Sequence, residues 1–172
     1  MIPYTVMRIE KYEIYLKLEP ENTTFLGRET IYIDNNDNRK VLSLDFMDLE
    51  IDVLEVDKIK QKISLNHINK TLDVLIPNGK SEIYIEYKGK ISNLLVGLYR
   101  VKHDNGVMLS TQFESVGARR VFPSIDNPEF KSIFQLFLDV KKPYDAISNS
   151  KILSIKEKQH SRIFIFNDTP LM

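Results

Sequence analysis

Apolar and polar residues alternate near the start of the chain. Between residues 12 and 18, the apolar or aromatic side chains of Tyr12, Ile14, Leu16 and Leu18 alternate with charged or polar positions. Successive side chains of a β-strand point to opposite faces, so a period of two predicts a half-buried strand.

A second strand is predicted over residues 25–33, after a turn that begins at Pro20. One face of this strand carries Phe25 and Ile31, together with other small or apolar residues. Glu29 falls on the same face and interrupts it. Because charged residues are rarely buried without a partner, we expect Glu29 to lie near the edge of the sheet.

Short alternating segments continue to the end of the chain. They cover residues 41–46, 49–56, 60–66, 72–76, 83–89, 98–102, 107–111, 131–141, 146–150, 151–156 and 162–166. The first two segments predict either two strands or one strand broken near Asp48. Turn-forming sequences separate the segments, and a short helix is expected only near residues 116–120. Many short strands separated by turns predict an all-β protein of the β-sandwich class, with two or more packed sheets.

The composition narrows the possible partners and location. The chain has 172 residues, of which 42% are hydrophobic and 28% charged, so it can bury a substantial core. Its 24 basic and 24 acidic residues cancel, which argues against a nucleic-acid or membrane-surface partner. There is no cysteine, which excludes disulfides and thiolate metal sites. Neither a signal peptide nor a membrane-spanning run is recognised, and we expect a cytoplasmic location.

The most distinctive segment covers residues 107–134, VMLSTQFESVGARRVFPSIDNPEFKSIF. Polar groups, two adjacent arginines and two prolines are inserted between strand-like apolar runs. This pattern predicts a shaped loop carried by a sheet. Binding residues are concentrated on loops of this kind, so we expect the candidate site here.

This segment resembles the N-terminal domain of the aminopeptidase N and leukotriene hydrolase family of zinc aminopeptidases. The family pattern is close to TQFE-x-x-x-ARRxFPCxDEPxFKxxF, and GLYR at residues 97–100 matches a G-[LF]-Y-R motif just upstream. Three positions depart from the pattern, because Ser124 replaces Cys, Ile125 replaces Phe and Asn127 replaces Glu. The resemblance implies an elongated, saddle-like, mostly antiparallel β-sandwich with little helix.

The resemblance also implies substrate-binding residues. Glu114 matches the family glutamate that binds the free α-amino group of the substrate, and a carboxylate can hold an ammonium group by a charge-assisted hydrogen bond. Gln112 matches a residue that lines the pocket for the first side chain. A cis peptide bond is implied between Glu114 and Ser115. Phe113 is expected to point the opposite way, into the core.

Five further residues of the segment are interpreted as structural support for the site loop. A guanidinium group of Arg119 or Arg120 can bridge carbonyl groups or pair with Asp126 and so hold the shape of the loop. Pro123 and Pro128 fix backbone turns. No catalytic role is assigned to these side chains.

Zinc peptidase chemistry requires ligands that this sequence lacks. The H-E-x-x-H signature is absent, and His67, His103 and His160 are each predicted in loops, as solvated side chains rather than zinc ligands. The family's G-x-M-E-N motif is also absent, and both motifs lie in a separate downstream catalytic domain of the family. The resemblance therefore implies that residues 1–172 form a single N-terminal β domain, truncated before its last strand and before the zinc-binding catalytic domain. Alone, it is expected to hydrolyse no peptide.

The implied partners are peptide N-termini and the catalytic domain. The surface around residues 112–130 is expected to face that domain and to expose apolar groups such as Phe122 or Ile125. The absent final strand is expected to leave an unpaired sheet edge, where the protein could self-associate. Two other functions stay open from the sequence: a stand-alone β-sandwich module that binds peptide or sugar, and a structural or assembly domain.

Overall fold

The structure, a computed structural model, describes residues 7–104 and 106–172. Within them, the strands are β1 (Arg8–Leu18), β2 (Thr24–Asn35), β3 (Val41–Asp45), β4 (Leu49–Val56), β5 (Ile59–Lys60), β6 (Ser64–Asn66), β7 (Thr71–Leu75), β8 (Gly79–Lys90), β9 (Gly97–His103), β10 (Gly106–Gln112), β11 (Ile133–Lys141), β12 (Ile152–Glu157) and β13 (Ser161–Phe166). One turn of 3-10 helix, Ala118–Arg120, is the helical element of these residues. The all-β prediction is confirmed.

The strands form three sheets. The large sheet has eight strands in the order β12-β13-β11-β1-β2-β8-β4-β5, a small sheet has the order β3-β7-β6, and β9 and β10 form a separate hairpin. Strands β1 and β11 are parallel, and the other pairs are antiparallel, as expected for a mostly antiparallel protein. The sequence predicted either two strands or one broken strand over residues 41–46 and 49–56. The structure has two separate strands there, β3 and β4, in different sheets.

A single buried cluster joins the sheets. Ile31 and Ile83 from the large sheet, Leu44 and Leu72 from the small sheet and Leu98 from the hairpin are each at most 4% exposed. Burying one such aliphatic side chain stabilises the fold by about 1.5–3 kcal/mol. The predicted β9–β10 hairpin is confirmed, but its turn includes position 105, which lies outside the described residues.

The expectation of a strand over residues 146–150 is wrong. This segment is irregular and belongs to the connection between β11 and β12. Arg162 Nη2 donates hydrogen bonds to the carbonyl oxygens of Pro143 (3.1 Å) and Tyr144 (2.8 Å). The start of the connection is therefore held by a side chain of β13, instead of by a strand ladder. Ile147, whose apolar character suggested a strand, is 92% exposed.

The expectation that Glu29 lies near a sheet edge is also wrong. Glu29 is opposite Ile14 of β1 and Ile85 of β8 in the interior of the large sheet, and it is 1% exposed. Neither carboxyl oxygen has a hydrogen-bond partner among the described residues. Burial raises the pKa of Glu29 well above its usual value. Burial therefore favours the neutral acid, a form that costs far less to bury than a carboxylate.

Candidate functional site

The site loop follows directly from the β9–β10 hairpin. Strand β10 ends at Gln112, which pairs with Gly97 at the start of β9. The next residues turn back sharply, because the backbone N–H of Gly117 donates to the carbonyl oxygen of Phe113 (2.7 Å). The hairpin thus presents residues 113–117, referred to below as the anchor loop, at one of its ends.

Glu114 is exposed at the anchor loop, as is Gln112 just before it. No hydrogen bond or ion pair to the Glu114 carboxylate is found in the described part of the chain. The peptide bond between Glu114 and Ser115 is cis, as the family resemblance implies. Phe113 points the opposite way and packs edge-to-face on Phe122, with ring centroids 6.0 Å apart, which confirms the expectation for Phe113. A solvent-accessible carboxylate at this position can bind a cation.

Arg119 links the segment that follows the anchor loop, residues 118–126 (the site segment), to a different sheet. Its Nε lies 2.7 Å from Asp126 Oδ2, the pairing that the sequence suggests, and its Nη1 lies 3.2 Å from Asp45 Oδ1. The three side chains are 17%, 19% and 25% exposed for Arg119, Asp126 and Asp45, respectively. Ion pairs in such partly buried positions are screened less by solvent than surface pairs.

Backbone hydrogen bonds support the same connection. Asp45 and Ser124 exchange two of them, from Asp45 N to Ser124 O (2.7 Å) and from Ser124 N to Asp45 O (3.1 Å). The N–H of Met47 donates to the carbonyl oxygen of Arg119 (2.8 Å). On the opposite side, the N–H of Ile125 donates to the hydroxyl oxygen of Tyr12 (3.2 Å). The segment is therefore attached both to the β3–β4 connection and to β1.

Tyr12 is 2% exposed, and burial is the main cause that raises the pKa of its hydroxyl group above its usual value. The hydroxyl therefore stays protonated at physiological pH and can accept the Ile125 N–H. The Tyr12 ring stacks on Phe134, with ring centroids 5.0 Å apart. Tyr12 thus anchors the site segment to the hydrophobic core.

Arg120 contacts two other parts of the chain. Its guanidinium forms an ion pair with Asp48, whose side chain is 60% exposed. Its β-carbon approaches Gly97, where an added β-carbon would lie 3.1 Å away. Gly97 has a φ of +67°, a conformation that glycine adopts without strain. The site segment therefore packs closely against the first residue of the hairpin.

The two prolines lie in different environments. Pro123 is buried, whereas Pro128 is exposed in a turn that is closed by a hydrogen bond from Phe130 N to Asn127 O (3.0 Å). The expectation that Phe122 is exposed is wrong, since Phe122 is 8% exposed and packs between other aromatic rings.

Ile125, the second apolar group expected at the surface, is half-buried. The apolar side chain exposed beside Glu114 is Val116, at 46%. Asp45, Asp48 and Tyr12 were not predicted as site residues. They are far from the motif in sequence, and their only signal was a polar or amphipathic side chain in or next to a predicted strand.

The three histidines lie apart. His67 follows β6, His103 ends β9 and His160 lies between β12 and β13. Among residues 7–104 and 106–172, no group of three or more acidic or histidine side chains is arranged to hold a metal ion. In the same residues, no helix has the length and apolar character needed to cross a bilayer.

Two shallow clefts, of about 200 and 250 Å³, lie beside Lys17 and Glu19 at the end of β1. Gln112 and Glu114 line neither of them. In the smaller cleft, Asp139 already accepts hydrogen bonds, from Tyr15 Oη (2.5 Å) and from Lys158 Nζ (2.6 Å). These clefts are therefore separate from the anchor loop.

Comparison with known proteins agrees with the sequence motif. The model of the peptidase M1 N-terminal domain matches residues 9–172. The chain is 36% identical over 170 residues to probable aminopeptidase 2 of Sulfurisphaera tokodaii, a match that covers 97% of this chain and 21% of that protein. It is 34% identical to tricorn protease-interacting factor F2 of Thermoplasma acidophilum (95% of this chain, 20% of that protein) and 30% identical to aminopeptidase N of Lactococcus lactis (95% and 20%). The chain thus spans about one fifth of the length of these relatives.

Proposed function

This chain belongs to the family of peptidase M1 N-terminal domains, and from that premise we propose that it is the substrate-anchoring domain of an aminopeptidase. In this proposal, Glu114 binds the free α-amino group of a peptide, and Gln112 lines the pocket for its first side chain. Arg119, Arg120 and Asp126, with Pro123 and Pro128, hold the anchor loop in shape.

The observation that carries the proposal is the position of Glu114. Its carboxylate is exposed and unpaired among the described residues, while the segment that follows it is attached to two sheets. A hydrogen bond between a carboxylate and an ammonium group contributes about 1.5–3 kcal/mol. Acetylation of the amino group removes its charge, so Glu114 would select a free N-terminus over a blocked one.

Hydrolysis is assigned in this proposal to a catalytic domain beyond this chain. The relatives are about five times as long as the matched region, which leaves ample length for such a domain. In this proposal, the zinc of the parent enzyme is held in that catalytic domain. The parent enzyme would be a zinc metalloaminopeptidase located in the cytoplasm, and this chain alone would cleave no substrate.

The proposal is tested by nuclear magnetic resonance on the isotopically labelled chain. Leucine amide, which has a free α-amino group, is titrated against the wild-type protein and against Glu114→Gln, and N-acetyl-leucine amide serves as the matched ligand control. We expect dissociation constants on the order of millimolar or weaker, because one charged contact acts alone.

The wild type is expected to show amide shifts at residues 112–117 with leucine amide and none with the acetylated ligand. Glu114→Gln is expected to lose the response to leucine amide. Equal responses to both ligands, or an unchanged response in Glu114→Gln, would exclude Glu114 as the anchor.

A further inference from the structure

Asp45 is the last residue of β3, in the three-stranded sheet and 69 positions before Glu114. We propose that Asp45 is the positioning residue of the anchor loop, an inference that rests on the proposed function of Glu114. It contacts no substrate in this role. It acts through Arg119, Ser124 and Asp126.

Both carboxylate oxygens of Asp45 are engaged by the site segment. Oδ1 lies 3.2 Å from Arg119 Nη1, and Oδ2 accepts the backbone N–H of Asp126 at 3.0 Å. The backbone of Asp45 adds an isolated antiparallel bridge to Ser124, with hydrogen bonds in both directions. One residue of the small sheet thus makes four contacts to residues 119–126.

These contacts differ in kind from the pair between Arg119 and Asp126. Arg119 and Asp126 are both in the site segment, so their 2.7 Å contact closes the segment on itself without attaching it to a sheet. Asp45 belongs to a regular strand that is paired with β7 along its length. The Asp45 contacts therefore fix the closed loop to the small sheet, in addition to the backbone contact from Met47 and the contact with the Tyr12 hydroxyl.

The path from Asp45 to Glu114 is short. Arg119 lies in the 3-10 turn that begins at Ala118, and Gly117 just before it donates to Phe113 at the base of the anchor loop. Phe113 packs on Phe122, which lies in the same segment. Movement of Arg119 would therefore shift both ends of the short span that carries Glu114.

The test uses three variants of the full 172-residue chain in the leucine amide titration. Asp45→Ala removes both side-chain contacts, whereas Asp45→Asn removes the charge and keeps an oxygen acceptor for the Asp126 N–H. Asp73→Ala is the matched control, because it removes a carboxylate of the same small sheet whose hydrogen-bond partner is Ser43 of β3 (2.7 Å) and not the site segment.

We expect Asp45→Ala to weaken leucine amide binding about fivefold or more, and Asp45→Asn to recover part of the loss. The amides of residues 113–117 shift in Asp45→Ala, while Asp73→Ala binds as the wild type does. If Asp45→Ala does not fold, Asp45→Asn decides, with an expected loss of about twofold.

The role of Asp45 alone would be overturned if Asp45→Ala bound leucine amide at the wild-type level while Glu114→Gln lost binding. Where Asp45→Asn decides, binding by that variant at the wild-type level would have the same meaning. A wild type that does not distinguish leucine amide from its acetylated form would overturn the proposed function, and with it this inference. Equal weakening by Asp73→Ala would show that loss of any carboxylate from the small sheet loosens the site segment, and it would also overturn this inference.

Discussion

Gly27 lies directly beneath the aromatic ring of Tyr87. The two residues are paired across β2 and β8, and a β-carbon at Gly27 would lie 2.1 Å from Cε2 of the ring. Tyr87 is 1% exposed, so its ring is enclosed by the core and cannot swing into solvent. Glycine is therefore required here by packing, since the backbone at Gly27 has an ordinary extended conformation.

We predict that Gly27→Ala lowers the free energy of unfolding by about 1–3 kcal/mol, because the added methyl group overpacks the core. The measurement is urea unfolding of the wild type, Gly27→Ala, Tyr87→Leu and the double variant. The cost of Gly27→Ala is expected to be smaller in the Tyr87→Leu background. Equal costs in both backgrounds would show that the Tyr87 ring is not the group that excludes a side chain.

Glu29 makes stability depend on pH. Its folded pKa is raised by burial, so the folded state binds a proton that the unfolded chain has released above pH 4.5. The contribution of Glu29 to stability is therefore fully present below that pH and is lost as the pH rises toward the folded pKa, by up to about 1.4 kcal/mol per pH unit. A charge on Glu29 also raises the pKa of two hydroxyl groups, those of Tyr12 and Tyr87. Burial is the main cause of both shifts.

The prediction is that Glu29→Gln gains stability relative to the wild type as the pH rises from about 5 to about 8. Urea unfolding at several pH values measures this difference. The control for loss of a charge is Glu13→Gln, because Glu13 lies in β1 on the face of the sheet opposite to that of Glu29. Parallel pH profiles for the wild type and Glu29→Gln would show that Glu29 does not carry the effect.

The pKa of Asp139 is shifted in the opposite direction to that of Glu29. Burial alone would raise its pKa, but hydrogen bonds from Lys158, Ser161 and Tyr15 outweigh burial and lower the pKa of Asp139. The contribution of the charged Asp139 to the stability of the fold is present above the usual pKa of 3.8 and is lost as the pH falls through the folded pKa. We predict that Asp139→Asn lowers the free energy of unfolding at pH 7 by about 1–3 kcal/mol.

The difference in the free energy of unfolding between Asp139→Asn and the wild type should become smaller in acid, where Asp139 itself is neutral. Urea unfolding between about pH 7 and about pH 3 measures it. Tyr15→Phe, which removes one donor at 2.5 Å, is expected to cause part of the loss. A difference that stays constant over this range would mean that the charge of Asp139 contributes nothing to stability.

Strand β12 is the unpaired edge at one end of the large sheet, and all six of its residues are exposed. Its apolar side chains are Ile152, Leu153 and Ile155, at 44%, 60% and 45% exposure. A register irregularity lies at Leu153, and bulges of this kind generally bend a strand and make an exposed edge less suited to pairing. We therefore expect self-association that is weak and depends on concentration.

Sedimentation velocity at increasing concentration tests this expectation. Ile155→Lys should reduce the association, because a charge on the edge opposes pairing. Ile68→Lys, at a 93% exposed position between β6 and β7, is the matched control and should have no effect. Identical sedimentation of all three proteins would exclude β12 as the contact.

The strands could be predicted because their signal is local. Alternation at Tyr12, Ile14 and Leu16 gives the buried face of β1 without any knowledge of its partners. The same rule failed at Glu29, because it treats a carboxyl group as charged, whereas burial in the large sheet favours the neutral form of this one. At residues 146–150 it failed because a strand also needs a partner, and these residues belong to none of the strand ladders of the described residues.

The site was predictable where the motif is continuous. The segment that carries Gln112, Glu114 and Arg119 is distinctive in itself, and Asp126 lies close enough to suggest the pairing. Asp45 could not be predicted, because its contact with Arg119 joins residues 74 positions apart in different sheets. Only the folded arrangement of β3 beside the site segment brings these side chains together.

The most direct measurement of the central claim joins this domain to a complete enzyme. Residues 1–172 replace the matching fifth of probable aminopeptidase 2 of Sulfurisphaera tokodaii, and kcat/KM is measured for an aminoacyl fluorogenic substrate with glutamate or glutamine at position 114. We predict that Glu114→Gln lowers kcat/KM by about 10–100-fold with an unchanged unfolding temperature, as expected for loss of one charge-assisted hydrogen bond. Equal kcat/KM values for the two chimeras would contradict the proposal that Glu114 anchors the substrate.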